Sequence, residues 1–263
     1  MRVKTAVCSS IGKKRKINQD NFYLNGLLNG KYYSHFDSSN FSSKKEQILA
    51  VCDGMGGEKH GEIASYISVK KLKDYDGKYS NLFNRFPEHI KKYTESSNKA
   101  ICEYMMYHGN ERMGSTFAIL CISPENKEAI AANLGDSKIY YFHAENLKKI
   151  SEDHNQAQSL VNLEMITEEE AREHPGKSKL TQHLGIFPNE MLLEPYISEN
   201  IMLSKGDIFL ICSDGLTDML SDDEILDYMR TKERLSKRCK QLVKKAEEKG
   251  GKDNITVIIA EII

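Results

Sequence analysis

The chain has 263 residues, of which 40% are hydrophobic and 29% are charged, a balance typical of globular proteins and unlike that of a disordered chain. Its 37 Lys and Arg residues and 38 Asp and Glu residues give a formal net charge of −1, which argues against a nucleic-acid-binding protein. No apolar run approaches the ~18 residues needed to cross a bilayer, and the first residues lack the apolar stretch of a signal peptide.

The cysteines bear on the location of the protein in the cell, and the absence of a linker bears on the number of its domains. The six cysteines form no C-x-x-C pair, the spacing of many zinc and thioredoxin-like sites. Cys52, Cys121 and Cys212 stand inside apolar segments of strand-like composition. We therefore predict buried, reduced cysteines and a cytoplasmic location. The sequence shows no repeat and no linker, which predicts one domain over residues 1–263.

Strands are predicted where short apolar, β-branched segments occur. In chain order these are Thr5–Ser10, Ile48–Cys52, Thr116–Ile122, Ala129–Asn133 with its continuation Lys138–Phe142, Ile208–Cys212 and Ile255–Ile263. The segment Lys31–Gln47 is rich in Ser, Asn and Lys and predicts an exposed loop.

Helices are predicted between these strands from amphipathic periodicity and capping residues. They cover Glu62–Leu72, Glu88–Tyr107, Thr167–Arg172, Ile225–Met229 and Lys232–Lys249. Thr167 and Ser221 each stand three residues before a Glu, the pattern of a capping box. Gly250 and Gly251 predict the end of the last helix. Because strands and helices do not alternate strictly, the sequence favours an α+β fold over a doubly wound parallel sheet.

Four aspartates stand where a predicted strand meets a loop. Asp53 and Asp214 follow strands, Asp136 lies between two, and Asp253 precedes the last one. A single Asp-Gly pair is a common turn, but clustered carboxylates repel one another unless a cation joins them. Mg²⁺ and Mn²⁺ prefer oxygen ligands and resolve that conflict. The residues alone therefore predict a carboxylate-bound metal site, with simple turns as the alternative.

Two further segments bear on this site. The glycine-rich segment Asp53–Gly57 allows backbone atoms to approach a ligand closely, and it matches neither a P-loop nor a Rossmann fingerprint. Arg15 lies five residues before Asp20, and arginine suits bidentate binding of phosphate. A solvated basic patch at Lys13–Lys16 is the alternative interpretation of this segment.

Seven short motifs, taken in order, resemble those of the metal-dependent protein phosphatases of type 2C, and they span almost the whole chain. They are Arg15-x-x-Asn-Gln-Asp20, Val51-Cys-Asp-Gly-Met-Gly-Gly57, Gly114-Ser-Thr116, Asn133-Leu-Gly-Asp-Ser137, Leu180-Thr-Gln-His-Leu-Gly185, Ser213-Asp-Gly-Leu-Thr-Asp218 and Lys252-Asp-Asn-Ile-Thr256. The chain looks most like bacterial members, which often oppose Ser/Thr protein kinases. The resemblance implies two antiparallel β-sheets packed as a central sandwich flanked by α-helices on both sides.

The resemblance also implies a binuclear Mg²⁺ or Mn²⁺ centre, with a third, weaker ion in bacterial members. Asp53 matches the acid that bridges the two ions, and Gly54 matches the residue that offers its backbone carbonyl. Asp214 and Asp253 match the remaining direct ligands of the first ion. Asp136 matches an acid tied to the third ion.

The implied activity is hydrolysis of phosphoserine and phosphothreonine in proteins by a metal-activated water, without a phosphoenzyme. Asp20 matches the acid that supports the second ion through water, and Arg15 matches the phosphate-binding arginine. The chain departs from the family pattern at two positions. Met55 stands where eukaryotic members often carry a His proposed as general acid, which leaves the proton donor unassigned. Gln19 stands where some members have Glu.

Partners follow from the same resemblance: phosphorylated Ser/Thr proteins, a cognate Ser/Thr kinase, no nucleic acid and no membrane, with the chain a monomer. Two other functions stay open, a catalytically silent scaffold that binds a phosphoprotein or kinase and a phosphohydrolase of small molecules. The segment Glu152–Ser178 matches a flap, for which a substrate-gating role is a hypothesis. Ser115, Thr116, His154 and His183 are interpreted as packing or loop residues.

Overall fold

The computed structural model describes residues 1–30, 35–37, 41–43, 45–55, 60–76, 82–109 and 111–263. Over these residues the strands are β1 (Val3–Ser10), β2 (Asn21–Leu24), β3 (Leu27–Leu28), β4 (His35–Asp37), β5 (Phe41–Ser43), β6 (Gln47–Cys52), β7 (Gly54–Met55), β8 (Gly114–Ser115), β9 (Phe117–Ser123), β10 (Glu128–Leu134), β11 (Lys138–His143), β12 (Asn146–Lys149), β13 (Tyr196–Ile197), β14 (Ile201–Met202), β15 (Ile208–Cys212) and β16 (Ile255–Ile262). The helices are α1 (Gly61–Asp76), α2 (Phe86–Tyr107), α3 (Gln156–Asn162), α4 (Glu168–Glu173), α5 (Asp214–Thr217), α6 (Asp222–Arg230) and α7 (Leu235–Glu248). Short 3₁₀ helices lie at Phe83–Arg85 and Pro175–Ser178.

The strands form two large antiparallel sheets. Sheet A has the order β12-β11-β15-β16-β1-β4, with β5 also paired to β1. Sheet B has the order β13-β10-β9-β6-β2-β3, with β14 also paired to β10. Strands β7 and β8 form a separate pair. The predicted pair of antiparallel sheets is confirmed.

Alternation of side chains along the strands explains the layers, because successive residues of a strand point to opposite faces. In β15, Phe209 and Ile211 pack between the two sheets, whereas Leu210 packs beneath α6 and α7. On the outer face of sheet B, Tyr93 and Ile101 of α2 belong to the buried cluster that also holds residues of α1. The layers are therefore helices, sheet B, sheet A and helices, as predicted.

The long buried strands and helices lie close to their predicted bounds, and both capping boxes, at Thr167 and Ser221, are present. The six cysteines are buried and free, as predicted. Among the described residues, every helix is too short or too polar to span a bilayer.

The loop predicted for Lys31–Gln47 is wrong at two internal places, and its last residue, Gln47, begins β6. His35–Asp37 and Phe41–Ser43 pair with β1 as antiparallel edge strands. The open edge of β1 offers backbone donors and acceptors to any extended segment, so a polar composition does not prevent pairing. Residues 31–34, 38–40 and 44 of this segment lie outside the described residues.

Candidate metal centre

The strand register brings the five candidate acids to one end of the sandwich. In sheet A, the end of β15 pairs with the starts of β16 and β11, which places Asp214 beside Asp253 and Asp136. In sheet B, the end of β6 pairs with the start of β2, which places Asp53 beside Asp20. Because the two sheets pack face to face, both groups of acids lie at the same end of the sandwich.

These carboxylates lie close enough to perturb one another. Burial, and next the charge of Asp20, raise the pKa of Asp53 well above its usual range, with smaller contributions from Asp214, Asp136 and Asp253. Burial also raises the pKa values of Asp20, Asp136 and Asp214, and neighbouring carboxylates add to each. The arrangement therefore disfavours its own ionised form, and a nearby positive charge reverses that preference.

Arg15 supplies one positive charge. Its Nε donates to Oδ1 of Asp253 at 2.8 Å and its Nη2 donates to Oδ2 at 2.5 Å. Because the Asp253 carboxylate occupies one edge of the guanidinium fork, the two predicted roles, phosphate binding by Arg15 and metal binding by Asp253, compete in this arrangement.

Asp20 joins the two sheets. Its Oδ2 accepts hydrogen bonds from the hydroxyls of Ser213 and Thr256, each at 2.7 Å. Ser213 precedes Asp214, and Thr256 belongs to β16, so the Asp20 carboxylate is held against sheet A. Ser213 and Thr256 lie in the quoted motifs, but sequence reasoning gave neither of them a role.

Thr116 fixes the backbone of Asp53. The Asp53 N–H donates to Thr116 Oγ1 at 3.0 Å, and the Thr116 N–H donates to the Asp53 carbonyl at 2.8 Å. Thr116 Oγ1 lies 2.7 Å from Ser137 Oγ, which links this bond to the turn after Asp136. Thr116 is thus a buried positioning residue.

Gly54 occupies a space that excludes any side chain. A Cβ at this position would lie 2.1 Å from the Gly61 carbonyl oxygen and 2.5 Å from that of Gln19. The Gly54 N–H donates to the Gln19 carbonyl at 3.1 Å, so Gln19 supports this turn through its backbone. Residues 56–59 of the glycine-rich segment lie outside the described residues.

Asn254 is a positioning residue to which sequence reasoning gave no role. Its Oδ1 accepts from the N–H of Gln19 at 2.8 Å, and its amide donates to the carbonyls of Ile11 and Ile17 at 2.9 and 3.1 Å. This one side chain therefore holds the loop that carries Arg15 against the start of β16. Its place directly after Asp253 was the available signal.

We expect Asn254→Ala to lower the free energy of unfolding by about 2–4 kcal/mol, because loss of this buried amide leaves three backbone groups without their hydrogen-bond partner. Urea denaturation at equilibrium measures this loss. Asn200→Ala, at an exposed position, is the control and is expected to cost less than about 0.5 kcal/mol. A loss for Asn254→Ala as small as that of the control would contradict this account of the loop.

The two histidines interpreted above as packing or loop residues, His154 and His183, are half-buried. His154 Nδ1 accepts from the N–H of Gly135 at 3.2 Å, and His183 Nδ1 lies 2.9 Å from the Leu184 carbonyl. Burial lowers the pKa of both imidazoles. Both histidines make backbone contacts in loops.

The segment predicted as a flap contains α3 and α4. Between it and helices α5 and α6 lies a cleft of about 730 Å³, which reaches Asp136 and Asp214. Lys138, in the wall of the cleft, forms an ion pair with Asp153 at 2.9 Å and donates to the Asp136 carbonyl at 3.1 Å. The flap segment thus borders the carboxylate cluster.

The donor set fits a hard divalent cation, since every candidate side-chain ligand is a carboxylate. Oδ1 of Asp214 is buried and accepts no hydrogen bond from the described residues. In the described part of the chain, however, no three acidic, His or Cys side chains converge as ligands of a single ion. Arg15 holds both carboxylate oxygens of Asp253 in an ion pair.

Comparison with known proteins points to a single family. The profile of the family "Protein phosphatase 2C" matches residues 35–256. Protein phosphatase PhpP of Streptococcus pneumoniae is 31% identical over 258 residues, which are 98% of this chain and 96% of the relative. The solved serine/threonine phosphatase of S. agalactiae has a TM-score of 0.82 at 28% identity and covers 99% of this chain and 100% of its own.

A second solved structure bears on the metal. The catalytic domain of the serine/threonine protein phosphatase PstP, in complex with 2 manganese ions, has a TM-score of 0.78 at 25% identity, with 100% of both chains covered. The chain belongs to the protein phosphatase 2C family and is a bacterial-type member of it. The predicted family, fold class and enzyme class, a metal-dependent phosphatase, are confirmed.

Proposed function

We propose that this protein hydrolyses phosphoserine and phosphothreonine in proteins at a binuclear Mg²⁺ or Mn²⁺ centre. The observation that carries the proposal is the cluster of five carboxylates with Arg15 at one end of the sandwich, four of them with raised pKa values. Such a cluster needs cations to ionise fully. The two manganese ions in the PstP structure and the names of the relatives support the proposal.

The proposed ligands are those that the family's motifs imply, and the structure brings them to one end of the sandwich. We assign Asp53 as the bridging acid, Asp214 and Asp253 as ligands of the first ion, and Asp136 as an acid of a third ion. The Gly54 carbonyl would be a further oxygen ligand, and Asp20 would support the second ion through water. The ions, when bound, supply the positive charge that acidifies water and offsets the charge of the phosphoryl group.

The protein's own residues orient the substrate. The Arg15 guanidinium would bind phosphoryl oxygens in place of the Asp253 carboxylate, because its planar fork matches phosphate as it matches a carboxylate. Ser213 and Thr256 keep Asp20 in place, and Thr116 keeps Asp53 in place. Met55 has no proton to donate, so the leaving alkoxide takes its proton from another group.

We also propose that residues 1–263 are one catalytic domain, which acts as a monomer and opposes a Ser/Thr kinase. The near-complete coverage of the relatives' chains supports the single domain.

A substrate panel tests the function against the small-molecule alternative. The purified protein, with Mn²⁺, is given phosphothreonine, phosphoserine and phosphotyrosine peptides and a small aryl phosphate, and kcat/KM is measured for each. We expect the phosphothreonine and phosphoserine peptides to exceed the aryl phosphate by about tenfold or more, since remote contacts add transition-state binding. A higher kcat/KM for the aryl phosphate than for every peptide would contradict the proposal.

A further inference from the structure

Four exposed lysines stand beside the carboxylate cluster and are here called the basic rim. They are Lys13, Lys14, Lys16 and Lys252. With Arg15 they include the longest basic run of a chain whose net charge is −1. The rim is therefore a local positive field on a nearly neutral molecule.

Backbone contacts hold the rim at the site. The Lys13 N–H donates to the Gly251 carbonyl at 2.8 Å. Gly12, in the left-handed region at φ +74°, packs so tightly that a Cβ would lie 2.2 Å from the Asp253 carbonyl oxygen. The rim is thus fixed at the Arg15–Asp253 pair, with two of its lysines beside Arg15 in sequence and one beside Asp253.

The charges of the rim are not compensated by the described residues. None of its four lysines forms an ion pair with an acid in the described part of the chain, and the adjacent Glu247 accepts a hydrogen bond from Ser10 at 2.5 Å. On the flap side of the centre, by contrast, Lys138 and Lys149 are both paired with Asp153, at 2.9 and 3.5 Å. The four rim lysines therefore offer ammonium groups that have no carboxylate partner among the described residues.

We propose that the basic rim binds acidic residues next to the phosphorylated residue of the substrate, so that the enzyme prefers acidic phosphopeptides. This inference rests on the proposed function. A peptide whose phosphate reaches Arg15 brings its flanking residues over the rim, where Asp and Glu side chains meet unpaired ammonium groups. Exposed pairs each contribute little, and several acting together steer the substrate and lower KM.

The test compares two phosphothreonine peptides, one with Asp and Glu on both sides of the phosphothreonine and one with Asn and Gln at those positions. We expect wild-type kcat/KM to favour the acidic peptide by about 5- to 20-fold at low salt, mainly through KM. We expect this ratio to fall close to one in the rim variant, which combines Lys13→Gln, Lys14→Gln, Lys16→Gln and Lys252→Gln. We expect 0.5 M salt to lower the wild-type ratio in the same way.

A matched control removes four exposed lysines elsewhere, by Lys73→Gln, Lys91→Gln, Lys92→Gln and Lys205→Gln, and should keep the ratio. Any of three results would overturn the inference: a wild-type ratio near one, a ratio that is unchanged in the rim variant, or a ratio that falls as much in the control as in the rim variant. Rim-dependent binding to RNA or anionic vesicles without peptide preference would overturn it as well. Hydrolysis of neither peptide would instead contradict the proposed function itself.

Discussion

Asp53→Asn is expected to reduce kcat/KM on a phosphothreonine peptide by about 10³-fold or more, which is the scale of losing a group that organises transition-state charge. The same substitution is expected to leave the metal-free protein at least as stable as the wild type. The second effect follows from the raised pKa of Asp53: burial and four neighbouring carboxylates disfavour its charge. A neutral amide removes that repulsion. Function and stability are expected to oppose each other here, as they often do at active sites.

Two measurements check this prediction. Initial rates with Mn²⁺ give kcat/KM, and thermal unfolding in EDTA gives the melting temperature without metal. Asp227→Asn, an exposed change on α6, is the control and should alter neither value appreciably. A metal-free Asp53→Asn protein that melts several degrees below the wild type would show that Asp53 stabilises the fold, contrary to this account.

Arg15→Gln is expected to lower kcat/KM by about 10²-fold without weakening Mn²⁺ binding. The loss follows from the missing bidentate contact to the phosphoryl group. The metal affinity is retained because Arg15 holds Asp253 through two hydrogen bonds, and its removal frees that carboxylate for the cation. Arg15→Lys is expected to recover part of the activity only, since an ammonium group lacks the planar fork.

Steady-state kinetics and calorimetric Mn²⁺ titration of the same preparations separate these effects. Arg230→Gln, which removes an exposed arginine paired with Glu145 at 3.1 Å, is the matched control. If Arg15→Gln weakened Mn²⁺ binding about tenfold, Arg15 would act by positioning the metal ligands, and the phosphate-binding role would be contradicted.

The fold was predictable where burial is two-sided and continuous. Strands such as β15 and β16 are apolar on both faces because one face meets sheet B and the other meets helices, so their sequence signal is strong. Over the described part of the chain, nine strands of two to four residues were missed, namely β2, β3, β4, β5, β7, β8, β12, β13 and β14. Their pairing depends on a neighbouring strand's open backbone, which leaves no trace in their own composition.

The candidate site was predictable from its acids and less so from its supports. Motif order pointed to the aspartates, and the structure brings them together; their roles stay predictions. The hydrogen bonds of Asp20 to Ser213 and Thr256 depend on how two sheets align, which no local pattern encodes. The pairing of Arg15 with Asp253, 238 positions apart, was missed for the same reason.

The most direct test of the central claim is one Mn²⁺ titration of the metal-stripped protein, followed both by calorimetry and by phosphate release from a phosphothreonine peptide. If the carboxylate cluster is a catalytic metal centre, phosphate release is absent in EDTA and rises over the same Mn²⁺ concentrations at which the heat of binding appears. Phosphate release that continues undiminished in EDTA, or Mn²⁺ binding that saturates without any release, would contradict it.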